Sequence, residues 1–309
     1  MKNKISTFGI LFLFMLVIAK PGKCQQMNTI SADSLTAVAT RVLGAPSLSL
    51  RLSADSTLSS MLYNMLQTET DPGKALSLPS SIAVLSSPDL HFRIINWAVP
   101  LDLQKYTYRA FLQYNDGQQV RTISLADKSL VEGSAKAIHH GDQWYGALYY
   151  DLIEKKNKGK TTYTLLGWNR TQDGYQSKVA EVLTFDSKSG IPGFGLKIFP
   201  GYLPRYFVQY SSRANITLRY TTQSITVRKG LFGRLRTIQE MLIVHDRVTS
   251  KDIRFRNDPR FNFPAGNIYD ALRWNHGQWI LLRDIDARNE ATPTDEQPGP
   301  AELNLKPSN

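Results

Sequence analysis

The chain has 309 residues and one cysteine, with 42% hydrophobic and 10% aromatic residues and a net charge of +11 from 37 Lys and Arg against 26 Asp and Glu. This is the mix of a folded globular chain, and it excludes a disordered chain, a disulfide scaffold, a coiled coil and a multi-span helical membrane protein. The length allows about two domains, or a single one if the chain is all-β.

Residues 1–24 read as an export signal. Lys2 and Lys4 form a positive start, and Phe8 to Ala19 is an apolar run broken by Pro21 and Gly22. This twelve-residue run, with one glycine, falls short of the ~20 that a membrane-spanning helix needs. Gly22 and Cys24 supply small residues at the −3 and −1 positions of a cleavage site, so the exported chain is expected to start at Gln25. Lipidation of Cys24 is the alternative; Lys23 disfavours it, since a lipidation site wants a small residue there. Cleavage removes the one cysteine and four lysines, leaving 33 − 26 = +7. An exported chain without disulfides points to a bacterial envelope, periplasmic or extracellular.

Residues 25–79 read as a helical segment. Ser31-Ala-Asp-Ser34 offers a cap, and Leu35, Val38, Val42 and Leu43 follow at helical spacing until Gly44-Ala-Pro46. Ser53-Ala-Asp55-Ser reads as a second cap leading to Leu58, Met61, Leu62, Met65 and Leu66.

From residue 80 to 286 the pattern is that of strands. His91–Val99 and Tyr106–Tyr114 are rich in β-branched and aromatic residues, and Asn115-Asp-Gly117 is a hairpin turn into Gln119–Leu125. Further strands are expected over 144–153, 161–168, 179–185, 205–210, 216–220, 225–228, 237–245, 267–274 and 278–284. About eleven strands with short links and almost no intervening helix favour an antiparallel meander over βαβ units. On 144–153, Tyr145, Ala147 and Tyr149 alternate with Trp144, Gly146, Leu148 and Tyr150. Both faces are apolar, so both should be covered. The expected fold is therefore mainly β, a two-sheet sandwich or a closed barrel preceded by helices. Residues 287–309, with four prolines and no aromatic, are expected to be disordered.

No G-x-S-x-G, H-E-x-x-H or C-x-x-C motif is present. Gly159-Lys160-Thr161 ends like a phosphate-binding loop, but Glu154 stands where that loop needs glycine. Gly190-Ile-Pro-Gly193-Phe-Gly195 reads as a loop with positive φ. His139, His140 and Asp142, just before Trp144 and Tyr145, put three ligating side chains in four residues, but adjacent histidines on a strand diverge. These five residues, with Asp151, form the candidate ligand site. No metal set, cofactor or assigned catalytic residue is expected. His245-Asp246-Arg247 reads as a charged strand end. Asp284 and Asp286 share a strand face about 7 Å apart, a spacing open to a hard cation but equally to salt bridges with Arg283 and Arg288.

Lys155, Lys156, Lys158 and Lys160 crowd one hairpin tip and Arg228, Lys229, Arg234 and Arg236 another. They read as solvated turns or as contacts to an anionic envelope surface; nucleic acid is not expected without a recognition motif.

Four stretches carry a resemblance. Ser87-Pro-Asp-Leu-His-Phe-Arg-Ile-Ile-Asn-Trp97, His140-Gly-Asp-Gln-Trp-Tyr-Gly-Ala-Leu-Tyr-Tyr150, Tyr163-Thr-Leu-Leu-Gly-Trp168 and Tyr269-Asp-Ala-Leu-Arg-Trp274 through Asp284-Ile-Asp-Ala-Arg288 resemble a family of uncharacterised exported proteins of Bacteroidota-type bacteria. The resemblance covers about residues 87–288. It implies export and a bacterial source, and it brings no activity and no functional residue. The function expected is that of an exported envelope protein with a non-enzymatic binding or structural role. The alternative is a periplasmic or surface hydrolase of a glycan-like substrate, with Trp144, Tyr145 and Trp168 stacking on sugar rings.

Overall fold

Ser31 caps the first helix, α1 (Ala32–Gly44), by accepting the backbone N–H of Ser34 at 3.1 Å. The computed structural model describes residues 31–228 and 235–285. The expected export signal, the tail, Asp286, Lys229 and Arg234 lie outside the described residues. The second helix, α2 (Leu48–Thr68), starts five residues before the expected cap at Ser53, with Ser47 capping it instead. Asp55 stays inside the helix because its carboxylate has tertiary donors. Trp97 Nε1 donates to one oxygen at 2.8 Å and Arg109 Nε to the other at 2.9 Å.

The strands follow as β1 (Ala83–Ser86), β2 (Phe92–Pro100), β3 (Tyr106–Asn115), β4 (Val120–Asp127), β5 (His139–His140), β6 (Gln143–Trp144), β7 (Leu148–Asn157) and β8 (Lys160–Gln172). They continue as β9 (Tyr175–Phe185), β10 (Pro192–Phe194), β11 (Arg205–Ser211), β12 (Leu218–Arg228), β13 (Leu235–Thr249), β14 (Phe263–Asn275) and β15 (Gln278–Ile285). Sheet I has the order β1-β2-β3-β4-β6, with one parallel pairing, between β4 and β6. Sheet II runs β7-β8-β9, and the far edge of β9 is shared by β11 and by β10, which in turn carries β5. Sheet III is the antiparallel meander β12-β13-β14-β15.

The layers are read from which faces are buried together. Ile95, Trp97, Val99 and Phe111 pack against Leu35, Leu58, Leu62 and Leu66 of the helices. The opposite face of the same strands, with Phe92, Ile94, Tyr108 and Leu112, packs on Tyr149, Leu165, Val179 and Leu183 of sheet II. The back of sheet II, with Ile153, Leu166, Ala180 and Val182, meets Leu218, Ile243, Leu272 and Trp279 of sheet III. The stack is therefore helices, sheet I, sheet II, sheet III. The fold is mainly β with N-terminal helices and a sandwich at its centre, as expected, and a third sheet adds a layer. Among the described residues no sheet closes into a barrel. The two strands expected over 216–220 and 225–228 are one, β12.

Polar pins cross each apolar interface. The Tyr108 hydroxyl accepts Arg170 N–H at 2.6 Å across the sandwich, and Trp279 Nε1 donates to Thr164 Oγ1 at 3.1 Å between sheets II and III. The Asn96 side chain holds the backbone of Tyr149, accepting its N–H at 2.7 Å and donating to its carbonyl at 3.3 Å. These bonds occupy peptide groups at a bulge in β7 that would otherwise be buried unpaired.

The strand expected over 144–153 is broken. Gly146, at φ +91°, turns the chain from β6 in sheet I to β7 in sheet II. Strict alternation fails across this turn, so Trp144 and Tyr149 both enter the sandwich core, ring centroids 5.5 Å apart. A Cβ on Gly146 would sit 2.0 Å from Asp127 Oδ1. Asp127 cannot yield easily, because its carboxylate accepts from Thr107 Oγ1, Tyr108 N, Ser129 N and Ser129 Oγ. Gly146→Ala combines this clash with a conformation that L side chains rarely adopt. It should cost about 3 kcal/mol or more in a urea unfolding titration. Gly159→Ala, at φ +75° with open space around it, should cost less.

Candidate functional site

The six sequence candidates do not line one common hollow: His139, Trp144 and Tyr145 lie around Phe194 and Arg205, and the other three lie apart. His139 is buried on β5, opposite Phe194 of β10, with Nε2 3.0 Å from Ser134 Oγ. Burial, and then the positive charge of Arg205, hold its imidazole below the usual histidine range. His140 and Asp142 are exposed. Trp144 is fully buried, edge-on to Tyr149 and Phe194, so it offers no face to a ligand. Asp151 lies in the bulge of β7 and caps the N–H of Leu152 at 2.8 Å, its carboxyl pushed up by burial. Among the described residues no three His, Cys, Asp or Glu side chains gather as a metal site. The adjacent histidines diverge, one inward and one outward, as alternation requires.

Tyr145 alone of the six lines a cleft. The hollow, about 340 Å³, opens at one end of sheet II between the β8–β9 turn, the end of β11 and the loop after β4. Asn169, Thr171, Gln172, Tyr175, Ser177 and Gln209 form its polar wall, and Ser129 to Gly133 the opposite rim. Asn169 and Gln176 are already engaged: Asn169 Nδ2 donates to Gly146 O at 2.7 Å, and Gln176 bridges Trp168 Nε1 and Ala214 O. The side chains of Gln172, Tyr175, Ser177 and Gln209 have no hydrogen bond to another described residue. They keep their donors and acceptors for something else.

A buried network sets this cleft. Glu181 and Arg205, both fully buried, form an ion pair, and the Tyr149 hydroxyl donates to the second oxygen of Glu181. Burial raises the Glu181 carboxyl, while the Arg205 charge and these hydrogen bonds oppose the rise. Arg205 then spans outward. It donates to the carbonyls of Ala137, Ser134 (3.3 Å) and Phe194 (3.2 Å), and its guanidinium lies 5.3 Å from the ring centroid of Tyr145. One side chain thus fixes both the loop that forms the rim and the ring that forms part of the wall.

The sequence reading missed this network and most of the cleft. Glu181 is the one charge inside Val-Ala-Glu-Val-Leu, a run otherwise apolar and buried, and that was the available signal. The run Asn169-Arg-Thr-Gln-Asp-Gly-Tyr-Gln-Ser177 lies between the expected strands 161–168 and 179–185 and carries no functional signal. His245 is no exposed strand end. It is buried, accepts from the Tyr206 hydroxyl at Nε2 (2.9 Å), and Nδ1 donates to Asp246 O at 2.9 Å. Lys155 also departs from the basic-tip reading. Its ammonium turns inward to donate to the Tyr220 hydroxyl at 2.7 Å, and Lys156 pairs with Glu154.

A second hollow, about 430 Å³, runs between α1 and α2 and is lined mainly by short apolar and hydroxyl side chains such as Val38, Ala54 and Thr57. Its surface is mainly apolar, with Thr40, Arg41, Ser53 and Thr57 as its polar lining residues, and it is the weaker candidate. Comparison with family models, with curated proteins and with solved structures finds no match to this chain.

Lys178 gives the region a measurable electrostatic signature. It lies between sheets II and III with its ammonium 5.0 Å from the centroid of the Tyr150 ring, and desolvation lowers its pKa from 10.5 to about 8. Between those values the unfolded chain holds a proton that the folded chain releases, so this contribution to stability is lost as pH falls from 10.5 through 8. Lys178→Met should therefore stabilise the fold at pH 7 by roughly 1–3 kcal/mol and flatten the rise in stability toward pH 10. Urea unfolding at the two pH values reads both effects.

Proposed function

We propose that the chain is an exported cell-envelope protein that acts by binding, and that its cleft holds a segment of glycan or a similar neutral, hydroxyl-rich ligand. The observation that carries this reading is the wall of the cleft: the unengaged amides of Gln172 and Gln209, the Ser177 hydroxyl and the Tyr175 phenol, set on a sheet end and opposed by the loop Ser129–Gly133. A primary amide both donates and accepts, so Gln172 and Gln209 each match a pair of vicinal hydroxyls. Tyr175 and Tyr145 bring aromatic rings to the same hollow for the apolar faces of sugar rings. Glu132 is the one ionisable carboxylate among the lining residues, and it stands on the rim. A neutral wall favours a neutral ligand, because a buried charge without a partner is costly.

The hydrolase alternative calls for a carboxylate or a His/Asp pair near His139–Asp151. Binding is the favoured reading because His139 is buried on β5 against Ser134, while Asp151 sits in the β7 bulge and holds the N–H of Leu152. The export half of the proposal rests on the reading of residues 1–24 and on the family resemblance. The protein recovered from its own cell is expected to begin at Gln25 by N-terminal sequencing; an acylated Cys24 at the N-terminus contradicts this.

Binding is tested by titrating neutral oligosaccharides from bacterial envelope polysaccharides into the protein and following heat. A saturable signal is expected. Gln172→Ala, Gln209→Ala and Tyr175→Ala should each weaken it about 5- to 10-fold, the loss of one or two net hydrogen bonds or one stacked ring. Thermal unfolding should be unchanged, since none of these side chains holds another described residue by a hydrogen bond. Affinity indifferent to all three substitutions removes the cleft as the site.

A further inference from the structure

We propose that the end of the molecule bearing the cleft docks on an anionic lipid surface, with exposed apolar side chains at its loop tips entering the headgroup layer. This goes beyond ligand binding in the cleft and rests on different residues.

Several loops meet at this end. The β2–β3 turn reaches the β8–β9 turn: Gly174 N donates to Gln104 Oε1 at 3.2 Å, and Lys105 pairs with Asp173 at 2.9 Å. The segment between β13 and β14 meets the same turn from another side. Arg260 approaches Gly174 closely enough that a Cβ there would lie 3.0 Å from its side chain, and Asn262 Nδ2 donates to Gln209 O at 3.1 Å. The loop after β4 completes the ring, since Leu130 and Val131 line the cleft together with Gln172 and Tyr175.

The β2–β3 turn, the loop after β4 and the segment between β13 and β14 each expose a large apolar side chain. Leu103 is 79% exposed, Ile253 73%, and Leu130 and Val131 56% each. Leu103 and Ile253 have the highest exposures among the large hydrophobic side chains of the described residues. They stand singly on separate loops, with polar and charged residues between them. A protein partner is better matched by one contiguous apolar patch. Separate apolar tips suit a fluid interface, in which each is surrounded by lipid on its own.

The charges between the tips point the same way. Segments 101–105, 128–137, 172–175, 211–214 and 250–262 carry eight Lys or Arg against five Asp or Glu, an excess of three positive charges. Lys251, Arg254 and Arg256 are exposed on either side of Ile253. Cations beside an inserting side chain meet lipid phosphates and anionic headgroups, and the attraction is screened by salt. Docking in this orientation would hold the mouth of the cleft at the lipid headgroups.

The test is cosedimentation of the full chain with vesicles of phosphatidylcholine alone or mixed with an equal part of phosphatidylglycerol. Association is expected to be about tenfold stronger with the anionic vesicles and to weaken in high salt. Leu103→Ser/Ile253→Ser should reduce it about fivefold, and Arg254→Glu/Arg256→Glu should bring it to the level of the neutral vesicles. These side chains are exposed, and the one ion pair lost, between Arg254 and Asp252 (2.5 Å), lies at the surface where such pairs contribute little, so both variants should melt close to the native chain. Anything contributed by residues 1–30 is common to all of them. Association that is equal for the two vesicle types, absent from both, or unchanged in both variants overturns the proposal. Oligosaccharide titration of the same variants stays unaffected in either case, which separates failure of docking from failure of the cleft.

Discussion

Glu181 and Arg205 face each other inside the central sandwich with neither side chain exposed. Burying two charges is expensive, and their attraction offsets the cost only where the remaining lone pairs and protons are also satisfied. Here they are. Tyr149 donates to the second carboxylate oxygen, and Arg205 spends its other donors on the carbonyls of Ser134, Ala137 and Phe194. The pair is therefore better understood as a positioning device than as a source of net stability. It ties β9 and β11 to β10, and it pins the loop after β4, which has no sheet of its own to lean on.

The cleft follows from that constraint. Its rim is the pinned loop, its wall includes the Tyr145 ring beside the Arg205 guanidinium, and its far side is the β8–β9 hairpin end. Asp127 secures the near end of the loop through Ser129, and it leaves room for no side chain at Gly146, where the chain passes from sheet I to sheet II. Scaffold and site thus share the crossing Trp144-Tyr-Gly-Ala147. Trp144 and Ala147 fill the core while Tyr145, between them, reaches the cleft.

What was legible in the sequence was local or periodic. The caps and breaks at Ser31 and Gly44, the turn at Asn115-Asp-Gly117, and the apolar stripe Leu58, Leu62, Leu66 all act within a few residues, and they appear where expected. Two-sided burial of the strand near residue 148 was also readable, because no face of it is polar. What was hidden depended on pairs far apart in the chain. Asp55 looks like a cap until Trp97 and Arg109, 42 and 54 residues away, are seen to satisfy it. Glu181 and Arg205 are 24 residues apart, and no spacing rule joins them. The cleft residues were overlooked for the opposite reason: glutamines, a tyrosine and a serine around a turn are ordinary surface composition, and only the fold shows that they face one hollow. His139, His140 and Asp142 attracted attention by proximity in sequence, which a strand converts into divergence in space.

The central claim is that the buried pair positions the rim of the cleft while contributing little to global stability, and amide hydrogen exchange in Tyr149→Phe/Glu181→Leu/Arg205→Met tests it most directly. The triple replacement leaves no buried charge or hydroxyl unpaired and takes from the carbonyls of Ser134, Ala137 and Phe194 only the Arg205 donors, so unfolding in urea should shift by no more than about 1–2 kcal/mol. The amides of Val131, Ser134, Lys136 and Ala137, which close the turns of the rim loop, should lose protection by about tenfold or more, while those of sheet III keep theirs. Unchanged protection in the loop, or an equal loss across the whole molecule, would contradict the account.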